Sequence, residues 1–238
     1  MRLFFGVSAA TLLFAGLLSP ASAERLSSNY DYHNAIDRVV ASYGPLAEVR
    51  MKPYFMGAGV TYPPLEAVLL ATKEEKALEL WGRNAGGDFK FIRSYPIRKT
   101  SGGPGPKLRE GDKQIPEGIY KITDLNPHSQ FHLSMKLNYP NSYDLMRAAK
   151  EGRSRPGSNI FIHGKAESVG CLAVGDLAIE ELFVLVNTIG LEQVSVVIAP
   201  HDPRSRPMDG IAPELPWWAP ELYAQIRQEF ERFPKNDI

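Results

Sequence analysis

The sequence predicts a strand-rich α+β domain with a largely antiparallel sheet and a few packed helices. Short apolar or alternating runs recur through the middle of the chain, and residues that favour turns bound each of them. Two later segments instead place apolar residues three and four positions apart, which is the spacing of an amphipathic helix. The sequence has neither an internal repeat nor a heptad pattern, which argues against a solenoid or a coiled coil.

The apolar and alternating runs predict the strands of this sheet. They lie at 67–72, 77–81, 89–97, 118–124, 131–138, 159–163 and 193–199. The run 131–138 alternates most clearly, with Phe131 and Leu133 on one face and His132 on the polar face. The segment 101–106, which is rich in glycine and proline, is predicted to form a rigid turn.

Helices are predicted near both ends of the chain and in its last third. Residues 24–43 form a weakly periodic arm, and Pro45 is predicted to begin a second short helix that ends at 57–59. Asp176 is the predicted N-cap of a third helix, which Gly190 ends. A final helix is predicted from one apolar stripe, formed by Leu222, Ile226, Phe230 and Phe233.

The charge balance limits the partners that the sequence predicts. Lysine and arginine together number 27, and so do aspartate and glutamate, so the formal net charge is zero. Nucleic acids and anionic membrane surfaces attract proteins with a basic excess, which this chain lacks. We therefore expect no nucleic-acid partner.

The first 23 residues have the features of a secretory signal peptide. Arg2 supplies a positive charge, 3–18 is an apolar run, and 21–23 has the small–x–small form that signal peptidase cleaves. The apolar run is shorter than the roughly 20 residues that span a bilayer, and an uncleaved anchor is the alternative. We expect export to the periplasm or cell envelope, with no membrane span once the signal is removed.

The single cysteine, Cys171, is the most informative feature of the composition. Cysteines of exported proteins usually pair in the oxidising compartment, but a lone cysteine has no internal partner. Such a thiol is buried and inert, bonded to another chain, or reactive. Composition leaves these alternatives open, so the residues around the cysteine must decide.

The segment around Cys171 has the residues of a nucleophile and its base. An apolar strand ends at His163, Gly164 allows a turn, and Cys171 follows eight residues after the histidine. A free thiol is only a few per cent thiolate at neutral pH, and a neighbouring imidazole activates it by taking the proton. Gly170 permits a tight, open backbone, and the N–H groups of Gly170, Cys171 and Leu172 are candidate donors to an oxyanion.

These residues also form a motif that resembles a known family. The active-site signature of the L,D-transpeptidases with a YkuD-type catalytic domain is similar to His163-Gly164 followed by Ser168-x-Gly170-Cys171. The upstream segment 101–120 resembles that family as well, and 131–144 resembles its YafK branch more narrowly. The resemblance covers about 62–233 of the chain.

Two positions near the cysteine depart from many members of the family. Val169 stands where many have a second histidine, and Ala173 stands where many have an arginine. The loop between the histidine and the cysteine is also shorter than in most members, and the YafK branch shares these features. The departures put in question the substrate contact that the arginine would make.

The resemblance implies a fold, a division of the chain and a location. The implied fold is the sandwich-like or barrel-like YkuD-type catalytic domain, with a few helices packed on it. The four predicted parts are a signal peptide at 1–23, a helical arm at 24–61, the catalytic domain at 62–202 and a C-terminal segment with a packing helix at 203–238. The implied enzyme works in the biogenesis and organisation of the cell wall.

The resemblance further implies a reaction on peptidoglycan stem peptides. Cys171 would attack the carbonyl of a diaminopimelate residue and form a thioester, with His163 as the base. A backbone carbonyl, from Gly164 or its neighbour, would orient the imidazole. Transfer of the acyl group to an amine would make a crosslink or anchor a protein to the wall, whereas transfer to water would make the enzyme an amidase.

Other residues are weaker candidates for the site. Ser168 either closes the turn or bonds near the oxyanion, and His132, Tyr139 and Asn141 are candidate substrate contacts. The alternative for His132 is an ordinary surface histidine. The charged side chains in this region are expected to be solvated, and two adjacent tryptophans near the C-terminus are expected to pack; these are Lys107, Arg109, Arg153, Trp217 and Trp218. The sequence has neither C-x-x-C nor H-E-x-x-H, so neither a metal nor a cofactor is expected.

Two alternatives to a peptidoglycan enzyme remain at the level of sequence. A silent wall-binding module could keep the fold, but such a module has no need of both His163 and Cys171. A thiol redox protein would need a resolving cysteine, which a chain with one cysteine lacks.

Overall fold

The computed structural model describes residues 20–212 and 214–235. The predicted signal peptide therefore lies mostly outside the described residues, and its last four residues open the first helix. Within the described residues, no helix is both long enough and apolar enough to cross a bilayer.

After a long N-terminal helix, the described chain forms five consecutive strands, and three more helices and three more strands follow. The helices are α1 (Pro20–Ala58), α2 (Ser142–Lys150), α3 (Asp176–Ile189) and α4 (Ala219–Glu231). The strands are β1 (Glu66–Thr72), β2 (Ala77–Arg83), β3 (Lys90–Pro96), β4 (Gly118–Asn126), β5 (Ser134–Leu137), β6 (Phe161–His163), β7 (Leu172–Ala173) and β8 (Val194–Ala199). A short 3-10 turn at Leu191–Gln193 leads into β8.

The strands form one sheet in the order β3-β2-β1-β8-β4-β5-β6-β7. The pairs β1–β8 and β6–β7 are parallel, and the other neighbours are antiparallel. The predicted fold class, a strand-rich α+β domain with a largely antiparallel sheet, is confirmed. Five of the predicted strands, which became β1 to β4 and β8, lie within two residues of their predicted bounds.

The central strand β1 is buried on both faces, because helices cover both sides of the sheet. Leu69 and its same-face neighbours belong to the core shared with α1 and α3, whereas Val68 and Leu70 belong to the core beneath α4. Strands that are covered on both sides read as continuous apolar runs, and β1 has the sequence Glu-Ala-Val-Leu-Leu-Ala-Thr. The predicted stripe of the last helix is buried in the second of these cores.

One continuous helix replaces the two helices that Pro45 was predicted to separate. A proline inside a helix removes one N–H···O bond and costs about 3 kcal/mol. Ala47, Met51 and Phe55, four residues apart on one face, are fully buried, and α1 packs against α3 and β3. The burial of this face offsets the proline, so the prediction of a break was wrong.

The predicted strand at 131–138 begins three residues late, at Ser134. His132 has a φ of 74°, a left-handed conformation that cannot continue a strand, so its placement on the polar face of a strand was wrong. The strand predicted from 159 begins at Phe161 for the same reason, since Asn159 has a φ of 56°. Within β5, Met135 and Leu137 are fully buried and Lys136 is half-buried, as the alternation predicts, but Ser134 of the predicted polar face is buried as well.

The N-cap of α3 is Gly175, one residue before the predicted Asp176. Asp176 is instead the first helical residue, and its Oδ1 accepts a hydrogen bond from the backbone N–H of Lys165, 2.7 Å away. The carboxylate therefore fixes the loop before Cys171 rather than capping its own helix. The predicted end of this helix at Gly190 is confirmed.

Helix α2 was missed by the sequence interpretation, although its start carries a recognisable signal. Asn141 is its N-cap and accepts from the N–H of Asp144, 3.1 Å away, while the Asp144 carboxylate accepts from the N–H of Asn141 at 2.9 Å. This reciprocal pair is a capping box, which normally has glutamate or glutamine in the second position. Burial raises the pKa of Asp144 to about 6, against the opposing effect of these hydrogen bonds.

The raised pKa of Asp144 predicts a dependence of stability on pH. A carboxyl that holds its proton more tightly in the folded state stabilises that state at low pH, and the effect is lost as the pH rises through about 6. A shift from 3.8 to about 6 corresponds to about 3 kcal/mol. We expect Asp144→Asn to remove this decrease in the free energy of unfolding between pH 4 and 7, measured by urea denaturation. Asp88→Asn, at an exposed turn, is the control, and identical pH slopes for all three proteins would contradict the assignment.

Candidate active site

The site is built on β6 and β7, two short parallel strands at the edge of the sheet. His163 pairs with Ala173 across this ladder, and Ile162 pairs with Leu172. Continuing the register by one residue sets Cys171 beside Phe161. The backbone of Phe161 accordingly forms a hydrogen bond at the Cys171 sulfur that favours the thiolate.

The register places the side chains of His163 and Cys171 on the same face. Partners in a ladder point the same way, and residues two apart on one strand share a face. Ile162 and Leu172 point into the core, so the residues on either side of them point away from it. With about 4.8 Å between strands and about 3.3 Å of rise per residue, the two Cα atoms are roughly 8 Å apart, within reach of an imidazole and a thiol.

The ring of His163 is buried and held in one orientation. Its Nδ1 lies 2.7 Å from the carbonyl oxygen of Gly164, and the ring of Phe131 lies against it with centroids 4.5 Å apart. A carbonyl only accepts hydrogen bonds, so in the neutral ring Nδ1 carries the proton and Nε2 has a free lone pair. Burial lowers the pKa of His163, and the bond to Gly164 partly opposes this effect. The imidazole is therefore neutral at pH 7 and its Nε2 can accept a proton.

Only glycine fits at position 164, because there is no room for a Cβ. A Cβ there would lie 2.6 Å from the carbonyl oxygen of Phe131 and 2.7 Å from Oδ1 of Asp176, closer than real Cβ contacts allow. The N–H of Gly164 donates to the carbonyl of Leu133 at 3.1 Å. The dipeptide His-Gly in the sequence thus has a structural reason, because only glycine lets the chain pass here and present its carbonyl to the imidazole.

The turn before Cys171 is fixed by two serine hydroxyls. The hydroxyl of Ser168 accepts from the N–H of Cys171 at 3.1 Å and donates to its carbonyl at 2.5 Å. The N–H of Gly170, whose φ is 88°, donates to the hydroxyl of Ser101 at 2.5 Å. Two of the predicted oxyanion donors, the N–H groups of Gly170 and Cys171, are therefore bonded within the protein.

The thiol of Cys171 is half-buried. Its Sγ lies 3.8 Å from the carbonyl oxygen of Asn159, and burial raises its pKa. The hydrogen bond from Phe161 and the positive charge of Lys107 oppose that rise. The free protein thus holds a neutral thiol beside a neutral imidazole.

Comparison with known proteins assigns the chain to a family. The sequence profile described as the L,D-transpeptidase catalytic domain, YkuD, matches residues 72–198, which is more than half of the chain. The chain belongs to the L,D-transpeptidase family. The resemblance inferred from the His163 and Cys171 motif is thereby confirmed.

Two curated relatives of this L,D-transpeptidase-family protein are similar over the same region. Both carry the name "Putative L,D-transpeptidase YafK", one from Escherichia coli K12 and one from Escherichia coli O157:H7. Each is 35% identical over 133 residues, which cover 54% of this chain and 51% of the relative. The chain therefore spans about half the length of the curated relatives it matches.

The solved structures that the chain resembles are more distant. The helical cell shape determining protein Pgp2 from Campylobacter jejuni is 22% identical, with a TM-score of 0.47 over 57% of this chain and 48% of that protein. Bd1075 from Bdellovibrio bacteriovorus is 24% identical, with a TM-score of 0.41 over 70% and 55% of the two chains. L,D-transpeptidase 1 from Mycobacterium tuberculosis is 9% identical, with a TM-score of 0.33 over 56% and 62%.

Three residues predicted to contact substrate are engaged in the protein's own contacts. The buried hydroxyl of Tyr139 donates to the carbonyls of Lys107 and Pro156, at 3.2 and 2.8 Å. Asn141 caps α2, and Nε2 of His132 lies 3.0 Å from a carboxylate oxygen of Glu180. A substrate would have to displace these bonds, so a role for the three in substrate binding is no more than a prediction.

The side chain of Lys107 is more buried than the sequence predicted. Lys107 was expected to be a solvated surface charge, but its side chain is buried, and Nζ donates to Oδ1 of Asp112 at 2.5 Å and to the carbonyl of Arg109 at 3.0 Å. Its burial depends on Gly157, because a Cβ there would lie 2.5 Å from Cε of Lys107. No local pattern signals this arrangement, since Gly157 is fifty residues away in sequence.

The two tryptophans near the C-terminus differ from each other. Trp218 is buried as predicted, and its Nε1 donates to a carboxylate oxygen of Glu151 at 2.9 Å. Trp217 is 66% exposed, so the prediction that it packs was wrong. Among the described residues, no group of three or more potential ligands is arranged to hold a metal ion.

Proposed function

We propose that this protein is an exported enzyme that acts on peptidoglycan stem peptides through a thioester on Cys171, with His163 as the base. The observation that carries the proposal is the pairing of β6 with β7. Its register, extended by one residue to the free thiol of Cys171, is the argument for placing that thiol on the same face as the imidazole of His163. Membership of the L,D-transpeptidase family supports the same chemistry. Export rests on the predicted signal peptide, and the periplasm or cell envelope is where such a substrate lies.

The acylation step uses the lone pair that the hydrogen bond to Gly164 leaves free on the imidazole. Nε2 of His163 takes the thiol proton as Sγ of Cys171 forms a bond to the carbonyl carbon of a diaminopimelate residue. The tetrahedral intermediate then collapses, the C–N bond to the leaving group breaks, and the imidazolium returns its proton to the departing amine. The products are a thioester and a free amine. Because thiol and imidazole are both neutral at rest, His163 acts as a general base during attack.

The oxyanion of the tetrahedral intermediate would be bound next to the turn at Cys171. The N–H groups of Gly170 and Cys171 already donate to the hydroxyls of Ser101 and Ser168, so an oxyanion would compete with those hydroxyls. We propose that substrate binding releases at least one of these N–H groups, since rotation of a serine side chain to another χ1 rotamer would move its accepting oxygen away. Leu172 supplies the third candidate N–H.

Deacylation decides which reaction the enzyme completes. An amine acceptor held near the thioester gives a transpeptidase. A reactant held in position can react as if its concentration were about 10⁵ M, so a bound amine outcompetes water. Water gives an amidase that cleaves a peptide or a protein from the wall. In either case His163 takes a proton from the attacking group and returns it to the sulfur. We propose transpeptidation, the activity that the family is named for, and hydrolysis is the alternative outcome.

The fate of the thioester predicts a distinct product in each case. With disaccharide tetrapeptide and an excess of a D-amino acid, we expect release of D-alanine and formation of the exchanged tetrapeptide, both read by mass spectrometry. The Cys171→Ala protein is the control. Cleavage next to diaminopimelate without incorporation of the D-amino acid would show that the enzyme is a hydrolase and not a transpeptidase. No reaction of either kind with an ordered, folded protein would contradict the proposed activity.

A further inference from the structure

A cleft lined by three arginines lies where α1, β3 and the start of α3 meet. Its volume is about 430 Å³, and the charged side chains that line it include Arg50, Arg93, Arg98 and Glu181. Val174 and Gly175, which follow β7, form part of its wall. The cleft therefore begins three residues after Cys171, and at most about 11 Å of extended chain separates the two.

The charges around the cleft leave one arginine without a carboxylate partner. Glu181 accepts from Arg50 at 2.7 Å, from Arg93 at 2.9 Å and from the hydroxyl of Tyr95 at 2.9 Å. Arg50 also pairs with Glu180, at 3.0 Å, just outside the lining. Asp176 is the second carboxylate of the lining, and its Oδ1 accepts from the N–H of Lys165. Three guanidinium groups thus face three carboxylates, and Arg98 is the one that none of them pairs with.

Arg98 is the free cation of the cleft among the described residues. It is exposed, and its guanidinium has no carboxylate partner in the part of the chain that the structure describes, unlike those of Arg50 and Arg93. Its donors are therefore open to an acceptor that a ligand supplies.

The start of α3 adds further donors beside Arg98. Nε of Arg98 lies 3.4 Å from the position that a Cβ on Gly175 would take, so its side chain lies along the N-cap of the helix. Gly175 has no side chain that could cap the helix, and the first intrahelical bond runs from the N–H of Ile179 to its carbonyl. The N–H groups of the first turn and the positive end of the helix dipole therefore point toward the mouth of the cleft.

We propose that this cleft binds a free carboxylate of the peptide substrate, with Arg98 as its principal partner. The proposal rests on the proposed function, because a peptidoglycan stem peptide carries carboxylates outside the bond that Cys171 attacks. A planar guanidinium matches a carboxylate with two parallel hydrogen bonds. One unpaired guanidinium matches the single charge of a carboxylate. The wall of the cleft lies at most about 11 Å along the chain from Cys171, a span that a few residues of bound peptide can cover.

Binding measurements on a protein that cannot turn over its substrate test the proposal. In the Cys171→Ala background, titration calorimetry would compare the disaccharide tetrapeptide with the same muropeptide whose carboxylates are amidated. Arg98→Gln removes the charge at the mouth of the cleft, and Arg227→Gln, an exposed arginine on α4, is the matched control. We expect Arg98→Gln to weaken binding of the free acid about tenfold, the usual effect of losing one charge-assisted hydrogen bond. Arg227→Gln should change the affinity less than twofold, and the amidated peptide should be insensitive to Arg98→Gln.

The outcomes separate this inference from the proposed function. Equal affinities of the Arg98→Gln and Arg227→Gln proteins for the free acid would overturn the carboxylate site, and so would equally tight binding of the amidated peptide or no binding at all. Turnover by the wild type with an unchanged KM in Arg98→Gln would leave the activity established and the cleft excluded. An Arg98-dependent affinity without turnover by the wild type would support the carboxylate site and contradict the proposed activity.

Discussion

Replacing Cys171 by alanine is expected to abolish the reaction on muropeptides while leaving the fold intact. The substitution removes only the sulfur, whose contacts are a weak one to the carbonyl oxygen of Asn159, 3.8 Å away, and a hydrogen bond from the backbone of Phe161. The backbone of the turn is held by the hydroxyls of Ser101 and Ser168 and does not depend on the thiol. Turnover should fall to the uncatalysed rate, because no second cysteine exists in the chain.

The matched control for this variant is a substitution in the same turn. Val169 is 71% exposed and adjoins Gly170, so Val169→Ala disturbs the same loop without touching the proposed chemistry. We expect Val169→Ala to keep most of the activity and Cys171→Ala to keep the circular dichroism spectrum and the melting temperature of the wild type. A thiol-reactive reagent such as iodoacetamide should label Val169→Ala and not Cys171→Ala. Unaltered turnover by the Cys171→Ala protein would rule out the thioester.

Replacing His163 by alanine or glutamine is expected to lower the rate by a factor of about 10²–10⁴, the usual contribution of a positioned general base. Nε2 is the only acceptor that the ring offers to a proton, because Nδ1 is bonded to Gly164. Burial lowers the pKa of His163 from its ordinary value of 6.5, so the wild-type rate should begin to fall only below about pH 6.5. The measurement is kcat/KM for acylation as a function of pH.

The control for the histidine is His132, which the sequence predicted as a candidate substrate contact. Its Nε2 already faces Glu180, and its left-handed backbone sets it outside β5. We expect His132→Gln to keep the acid limb of the pH profile and His163→Gln to lose it in the residual activity. A loss smaller than tenfold in His163→Gln would mean that another group accepts the proton.

Much of the sheet could be predicted, because its strands are local patterns. Burial on both faces made β1 a continuous apolar run, and alternation marked β5. The errors came from effects that a local pattern does not contain. The proline at 45 was expected to begin a second helix, but α1 is continuous through it, because the burial of Met51 and Phe55 offsets the cost of the proline. His132 and Asn159 have a left-handed backbone, and two predicted strands begin later because of it. A left-handed position is predicted most readily from a glycine, and neither residue is one.

Some residues of the site could be predicted from the local sequence, whereas others depend on packing between distant segments. The motif around His163 and Cys171 is local, since one turn and two adjacent strands bring the pair together, and the sequence therefore predicts its members. Burial of Lys107 depends on packing against Gly157, and the arginine cleft draws its members from three separate elements. Neither arrangement has a pattern within one stretch of sequence. Both became visible only when the strands and helices were assembled.

The proposed thioester can be detected directly. Wild-type protein mixed with disaccharide tetrapeptide and quenched in acid should gain the mass of the acyl group, minus the leaving D-alanine, in intact-protein mass spectrometry. Peptide mapping should place that mass on Cys171, and His163→Gln should accumulate it far more slowly. An adduct on another residue, or turnover without any adduct on Cys171 at any quench time, would contradict covalent catalysis by this cysteine.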